Sequence, residues 1–465
     1  MLEIRASYNT PLQRLLGAHL GSFEAQLSFA DAHLPRHVTV ALRRLSLCGD
    51  PATGFAWLRC DECDAHRLIA FRCGTRGLCP TCGGRRMVEL SRRWVGGVFP
   101  HVGVRQWVLS LPWSLRYLLA RRHDVCLGLT RVFLRSVFRF YQERGRALGL
   151  AAGQTGSVTV VQRFGSALNL NVHLHCLVLD GLFVKTKDDE APCFYSIPAP
   201  TTEQVQAVLV YATNRMERWL RRQGLDLDEE EIADEDAFAA LASASVAGRV
   251  ALGVRAGRRV RRVRRVGGRE VRLPERCAQV GGFNLHAGVV IGAHNRAGLE
   301  RLCRYIARPP LASSRIQLQR DGLVVVGLKR AWSDGSRQLV FSPIELIEKL
   351  AALVPPPRVN QVLYHGVLAP RAKWRRQIVP QPPVRDPFKA LHKCEDHRPR
   401  RHWLWADLLW HSFGFDGWAC PNCGEHMSLR AVVIHPPATT RVLQGLGGRG
   451  PPNVDVELAK SGALG

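Results

Sequence analysis

The sequence has no long apolar run and no export signal. Nowhere do about 18 apolar residues stand together, the length that a membrane-spanning helix needs. The N-terminus lacks the charged segment, apolar core and small-residue cleavage site of a secretory leader. We therefore expect a cytoplasmic protein with no membrane partner.

Acidic side chains are also scarce. Asp and Glu number 39 against 65 Lys and Arg in 465 residues, a formal charge of +26 and a pI near 10.3. Such an excess attracts polyanions, which makes nucleic acid the leading partner. A ribosome-like basic protein, a membrane-surface protein or the arginine-rich composition of a high-GC genome would show the same excess. The hydrophobic share of 46% indicates a folded chain.

The apolar period changes several times along the chain. Helical spacing predicts a helical lead-in over residues 1–50 and a helical region over residues 85–150. The period then shortens, which predicts strands at 157–162 and 171–179. Further elements are expected downstream: a helix at 202–222, a strand at 285–291, a helix at 297–307, and a hairpin of 316–319 with 324–329. No solenoid repeat is evident.

Fourteen cysteines raise the question of metal binding. Cys60-x-x-Cys63 and Cys79-x-x-Cys82 stand about sixteen residues apart, a spacing typical of four-thiolate zinc. Cys73 lies between them and is an alternative ligand. Because four thiolates leave no open coordination position, this Zn²⁺ would be structural.

A second cysteine pair, Cys420-x-x-Cys423, lies near the C-terminus. Alone it is half of a zinc site, and its partners are left open by the spacing. The candidates are Cys394, His397, His426 and His435.

Several basic groups are candidates for contacts with DNA. Arg85 and Arg86 follow the cysteine module directly. The run at 255–265 contains enough arginine to neutralise several phosphates, although a disordered basic loop is an equal alternative. The acidic run at 226–231 is read as a solvated insert.

His173 and His175 stand two apart on a predicted strand, so their imidazoles share a face and suit a divalent ion. Tyr305 stands on a predicted helix with Arg301, Arg304 and Arg308, which can steer phosphate. DNA cleavage by transesterification needs a hydroxyl nucleophile and is helped by a metal. Taken separately, the histidines and the tyrosine are better explained by structural roles.

These segments together resemble a known family. The stretch from Gln162 to His175, the helix around Tyr305, the segment 364–370 and the N-terminal cysteine module are similar to rolling-circle insertion-sequence transposases of family ninety-one. That family belongs to the His-hydrophobic-His endonuclease superfamily, and the common-region elements are close relatives. The resemblance covers roughly residues 20–380.

The resemblance implies a mechanism. His173 and His175 would bind Mg²⁺ or Mn²⁺, with Gln162 from the neighbouring strand as a third ligand. Tyr305 would attack a phosphate of a single-stranded element end and form a 5′-phosphotyrosyl intermediate. Two-tyrosine members carry tyrosines four residues apart, but here the flanking positions are Arg301 and Pro309. The sequence therefore resembles the single-tyrosine type, which needs a second subunit or reuse of one tyrosine.

The expected architecture is α+β and multidomain. Residues 1–100 would form N-terminal helices plus a zinc-ribbon-like domain. Residues 101–380 would form the catalytic domain, with a central antiparallel sheet carrying the His-Leu-His strand and a charged insert at about 225–275. Residues 381–465 would form a basic, loop-rich tail. The alternatives are a non-catalytic zinc-dependent nucleic-acid-binding protein and a plasmid replication initiator or relaxase.

Overall fold

The computed structural model describes residues 2–5, 9–29, 32–75, 77–185, 190–225, 237–264, 274–380, 416–434 and 436–446. Helices and mostly antiparallel sheets alternate along these residues. The strands are β1 Leu2–Arg5, β2 Phe55–Cys60, β3 His66–Ala70, β4 Val104–Ser110, β5 Gly156–Phe164, β6 Leu170–Leu179, β7 Gly181–Val184, β8 Cys193–Ser196, β9 Arg261–Arg264, β10 Cys277–Val280, β11 Phe283–Ile291, β12 Ile316–Leu318, β13 Val324–Gly327, β14 Ser336–Phe341, β15 Val362–Gly366 and β16 Met427–Val433. The helices are α1 Pro11–Phe29, α2 Arg36–Ser46, α3 Pro80–Gly97, α4 Trp113–Arg121, α5 His123–Ala147, α6 Thr202–Arg222, α7 Ala237–Val246, α8 Arg296–Ala307, α9 Pro343–Leu353, α10 Arg375–Ile378 and α11 Pro436–Gly445.

A six-stranded antiparallel sheet forms the centre, with strand order β10-β11-β4-β6-β5-β15. The strands predicted at 157–162, 171–179 and 285–291 are confirmed as β5, β6 and β11. The prediction of a continuous helical region over residues 85–150 is wrong at β4, which lies between α3 and α4. Pairing on both sides with β6 and β11 makes 104–110 a strand.

The charged residue Arg105 explains why the strand β4 was not predicted from the sequence. It interrupts the apolar run, yet its guanidinium is buried and binds both carboxylate oxygens of Asp180 at 2.8 and 2.9 Å. The Tyr141 hydroxyl also donates to that carboxylate, at 2.8 Å. A buried charge is tolerated only with such partners. Asp180 lies between β6 and β7 and Tyr141 lies on α5, so both partners are far away in sequence.

Helices cover both faces of the central sheet. On one face, buried side chains of α3 and α8 pack on β5 and β6, with Trp94, Leu299 and Ile306 against Val160 and Leu177. On the other face, Trp107 of β4 packs edge-on against Phe140 and Tyr141 of α5. Alternation of side chains along β6 therefore sends His173 and His175 toward α8, while Leu174 and Cys176 enter the opposite core.

Helix α8 has clear end signals. The Asn295 side chain accepts a hydrogen bond from the Gly298 N–H at 2.8 Å and so caps the first turn. Pro309 and Pro310 follow the last turn and prevent its continuation. The helix predicted at 297–307 is confirmed.

A smaller sheet has strand order β12-β13-β14-β9. The hairpin predicted at 316–329 is confirmed as β12 and β13. The described part of the basic run, 255–264, is ordered: β9 pairs with β14, Arg255 contacts Glu345 at 2.7 Å, and Arg262 contacts Asp334 at 3.3 Å. The acidic run at 226–231 lies outside the described residues.

The first and last strands of the described residues belong to a third sheet, with strand order β1-β3-β2-β16. β1 runs parallel to β3, and β16 runs antiparallel to β2. We call the part formed by β1, β2 and β3 the head. The described part of the C-terminal region therefore adds a strand and a helix to the head.

Candidate active site and metal centres

Two histidines face α8 from the middle of the central sheet. Across the strands, His173 stands opposite Gln162 of β5 and Ser110 of β4, and His175 stands opposite Val160 and Val108. The two imidazole rings have their centroids 4.9 Å apart. Adjacent strands thus place two nitrogen ligands and one amide side chain on a single patch.

Both imidazoles are held through Nδ1. Nδ1 of His173 lies 2.9 Å from the Asn171 carbonyl oxygen. A carbonyl only accepts, so Nδ1 carries the proton and Nε2 keeps its lone pair in the neutral ring. Nδ1 of His175 lies 2.8 Å from the side-chain nitrogen of Gln106, which donates to it. A half-turn of that amide would present its oxygen to Nδ1 instead and leave Nε2 of the neutral ring free for a metal. Such outer partners orient metal-binding imidazoles in proteins.

Burial keeps these rings neutral. It lowers the pKa of His173, and Arg116 and Arg308 lower it further, against the Asn171 carbonyl. Burial also holds the pKa of His175 well below its ordinary value, helped by His173 and Arg308. A metal binds the neutral ring, so the pair fits a divalent cation.

Tyr305 of α8 approaches His175 of this pair. Cys303 and Ile306 of α8 are buried against the sheet, whereas Tyr305 is 41% exposed. Its ring centroid lies 6.1 Å from that of His175, at 90°. Gln162 fixes this end of α8, because its side-chain nitrogen donates to the Ile306 carbonyl at 3.2 Å. The structure thus brings together four residues that the sequence nominated.

Cationic side chains surround the tyrosine unevenly. Arg308 and Lys329 lie over its ring, with Cζ and Nζ 5.0 and 5.1 Å from the centroid. Arg304 forms an ion pair with Glu300 at 2.7 Å, and this pair weakens the attraction of Arg304 for a phosphate. Arg301 is exposed on the same helix. Arg308 and Lys329 are therefore cations that contact the ring of the candidate nucleophile.

The cysteine module supplies a separate metal centre. Cys48, Cys73, Cys79 and Cys82 have all their sulfurs within 4.8 Å of one another, and the measured Sγ–Sγ contacts are 3.5 to 3.7 Å. A tetrahedral ion with bonds of 2.3 Å requires sulfur separations of about 3.8 Å. The four thiols thus fit zinc. Cys79 caps α3, with its Sγ accepting from the Cys82 N–H at 3.5 Å.

Both centres lie within regions of the chain that match known families. A family model described as "Putative transposase" matches residues 156–376, and the IS91 "Transposase zinc-binding domain" matches residues 16–111. The chain belongs to the IS91-type transposases. Searches of curated proteins and of solved structures find no match. Within the described ranges, the transposase has no helix that is both long and apolar enough to span a membrane.

The cysteines of the transposase form two groups that differ from the single group predicted from their spacing. A single site of Cys60, Cys63, Cys79 and Cys82 is wrong, because the two pairs lie in different clusters. Cys79 and Cys82 join Cys73, the predicted alternative, and Cys48, which the sequence reasoning missed. Cys60 and Cys63 lie instead beside Cys420 and Cys423.

The sequence offered four other candidate partners for Cys420 and Cys423, namely Cys394, His397, His426 and His435. His426 is described but belongs to neither group. Cys394, His397 and His435 lie outside the described residues of the transposase. Cys420 and Cys423 thus find their partners near the start of the chain.

Helix α3, which follows directly after Cys79, packs against the end of α8, the helix that carries Tyr305. A Cβ on Gly83 would stand 2.8 Å from Cβ of Pro309, so only glycine permits this approach. Arg86 lines a small cavity that Gln162 and Arg308 also line. Burial lowers the pKa of the Arg85 guanidinium, which is half-buried one position earlier. Of the predicted pair, Arg86 is the one that borders the candidate active site.

Two residues of the site were missed from the sequence. Gln106 lies on the unpredicted strand β4, and a polar side chain inside the apolar stretch 104–109 was its only signal. Lys329 follows the β12–β13 hairpin, where a lone exposed lysine carries no motif. Both are recognised only from the folded geometry.

Proposed function

We propose that the transposase nicks and rejoins single-stranded DNA at element ends by rolling-circle transposition, with Tyr305 as nucleophile. The observation that carries the proposal is the perpendicular approach of the Tyr305 ring to His175, at 6.1 Å, beside His173. The substrate would be DNA in the bacterial cytoplasm, at the nucleoid.

In the proposed reaction the Tyr305 oxygen attacks the scissile phosphorus. A tyrosine-phosphate bond forms, the bond to the 3′ oxygen breaks, and that oxygen takes a proton to leave a free 3′-hydroxyl. The tyrosine proton passes to solvent, since the side chain is 41% exposed. Attack of a 3′-hydroxyl on the 5′-phosphotyrosyl bond reverses these steps and rejoins DNA.

The residues around Tyr305 would divide the work. His173, His175 and the Gln162 amide oxygen would hold Mg²⁺ or Mn²⁺, which when bound polarises the phosphate. Arg308 and Lys329 would hold the phosphate oxygens and stabilise their growing charge. Gln162 also keeps the end of α8 in place through its bond to Ile306.

A single tyrosine limits how two strands are handled. Arg301 and Pro309 occupy the positions four residues from Tyr305, so the helix offers no second nucleophile there. Strand transfer would then use Tyr305 twice in succession, or Tyr305 from two subunits. Mixed oligomers of wild type and Tyr305→Phe would separate these routes.

The nucleophile is tested with a single-stranded oligonucleotide that carries the element end, in Mn²⁺. Tyr305→Phe should form no SDS-resistant adduct and no nick. Tyr195→Phe is the matched control, because Tyr195 has the same 41% exposure and lies on β8. Cleavage that survives in Tyr305→Phe would exclude Tyr305, and inactive wild type would favour a non-catalytic DNA-binding protein.

The metal ligands are tested separately. His173→Ala combined with His175→Ala should abolish Mn²⁺-dependent cleavage while leaving the zinc content unchanged. Activity that stays intact in this double variant would make the pair structural. Mobilisation of a donor plasmid whose element ends bracket the gene distinguishes a transposase from a replication initiator, which would act on an origin instead.

A further inference from the structure

We propose that Cys60, Cys63, Cys420 and Cys423 bind a second zinc ion, which fastens residues 416–446 to the head. Two of these cysteines lie far beyond residue 111, where the matched zinc-binding domain ends. The site would be a purely structural four-thiolate centre, separate from the cluster of Cys48, Cys73, Cys79 and Cys82.

The sulfur positions have the dimensions of a zinc site. Sγ of Cys60 lies 3.5 Å from Sγ of Cys423, and Sγ of Cys63 lies 3.5 Å from Sγ of Cys420. All four sulfurs lie within 4.8 Å of one another. Tetrahedral thiolate zinc needs about 3.8 Å between sulfurs, whereas a disulfide needs about 2.05 Å. The cluster therefore matches metal ligation and not two covalent bridges.

The backbone around each cysteine pair makes the same turn. After Cys63, Asp64 has φ +53° and its N–H donates to the Cys60 carbonyl at 3.1 Å. After Cys423, Gly424 has φ +81° and its N–H donates to the Cys420 carbonyl at 3.0 Å. Left-handed backbone is costly for Asp64, so this turn is imposed by its surroundings.

Further hydrogen bonds complete each turn. The N–H of Asn422 donates to Sγ of Cys420 at 3.4 Å. The Cys60 N–H donates to the Ala65 carbonyl at 2.8 Å, and the Cys420 N–H donates to the Glu425 carbonyl at 2.7 Å. Two equivalent knuckles from opposite ends of the chain thus converge on one point.

Besides the sulfurs, one strand pairing and two small apolar clusters hold the C-terminal segment. The second cluster consists of the buried residues Phe55, Leu68, Val433 and Leu443. β16 pairs with β2, which sets Met427 opposite Cys60. Arg67 of β3 donates to the carbonyls of Asp416 and Gly417 at 2.9 and 3.2 Å. The apolar cluster beneath the sulfurs is small: Leu58, Ala65, Ile69 and Met427 with the buried cysteines. Small cores commonly depend on a metal for stability, so loss of this zinc should release β16.

The assignment is tested on the full chain by zinc content and by cysteine alkylation mapped to peptides. The wild type should hold two zinc ions, one for each cluster. Cys423→Ser should lose one ion and expose Cys60, Cys63 and Cys420 to alkylation, while the other four cysteines stay protected. Cys193→Ser, which removes an exposed cysteine outside both clusters, should retain both ions.

Three results would overturn the proposal. Exposure of Cys79 and Cys82 by Cys60→Ser, with Cys420 still protected, would restore the pairing expected from spacing. Rapid alkylation of Cys420 and Cys423 in the wild type would exclude a metal there. A non-reduced mass lowered by disulfide formation would replace the metal with covalent bridges. Wild-type protein loaded with ¹¹³Cd needs no variant, and it should show two four-thiolate resonances; one resonance would contradict the second site.

Discussion

Replacement of Gly83 by alanine tests whether α3 positions the tyrosine helix. The new Cβ would stand 2.8 Å from Cβ and 3.2 Å from Cγ of Pro309. Pro309 follows α8 closely, and its ring is bonded to its own backbone, so it cannot rotate away. The neighbouring Gly84 has no heavy atom within 4 Å of the equivalent point, which makes Gly84→Ala a matched control.

The expected magnitude comes from these distances. Carbon atoms pack at about 3.5–4.0 Å, so the end of α8 must move by about 0.7 Å or more. Overpacking of this kind costs about 1–3 kcal/mol, whereas Gly84→Ala should gain up to about 1 kcal/mol of helix propensity. A displacement near 1 Å at a reacting group can cost about 100-fold in rate. We expect Gly83→Ala to cleave about 10- to 100-fold more slowly.

The assay compares the two variants by single-turnover cleavage of a labelled single-stranded element end. Zinc content is measured in parallel, because Cys79 and Cys82 precede Gly83 on the same helix. The reasoning is refuted if Gly83→Ala, folded and with full zinc, cleaves as fast as Gly84→Ala. Equal losses in both variants would also refute it.

Three further predictions concern side chains around the central sheet. Gln106→Leu should weaken Mn²⁺ binding about 10- to 100-fold in a metal titration, because His175 loses its orienting partner; unchanged affinity would contradict this role. Asp180→Asn should cost about 3–5 kcal/mol in denaturant unfolding, since Arg105 stays buried without its counter-charge, and a loss below about 1 kcal/mol would show that Arg105 finds another partner. Burial, with a contribution from Arg131, lowers the pKa of His365 to about 4. Its unfolded value is about 6.5, so the unfolded chain gains the proton first and stability falls between about pH 6.5 and 4. His365→Gln should flatten that fall in Tm, and an unchanged pH dependence would exclude His365 as its source.

Most secondary-structure elements of the candidate active site could be predicted from local sequence patterns. β5, β6 and α8 follow directly from apolar period and from stop signals such as Pro309. Once β6 is a strand, His173 and His175 must share a face. The approach of Tyr305 to that face was expected only from the family resemblance, because no local pattern fixes how a helix docks on a sheet.

The metal centres show where local spacing fails. Cys63 and Cys79 are near in sequence, but β2 and β3 form a hairpin that carries Cys60 and Cys63 toward β16. Cys79 instead caps α3, and its sulfur lies beside that of Cys48. Which thiols meet depends on strand pairing between distant parts of the chain. The spacing of cysteines in the sequence gives no information on that pairing. The same limit hid β4, whose buried Arg105 needs Asp180.

The most direct test of the central claim is the site of covalent attachment. The transposase is incubated with a single-stranded element end and Mn²⁺, digested with protease and nuclease, and the nucleotide-bearing peptide is sequenced by mass spectrometry. The account predicts a phosphodiester on Tyr305, in the wild type and in Tyr195→Phe alike. Attachment at another residue, or cleavage that leaves no covalent adduct, would contradict it.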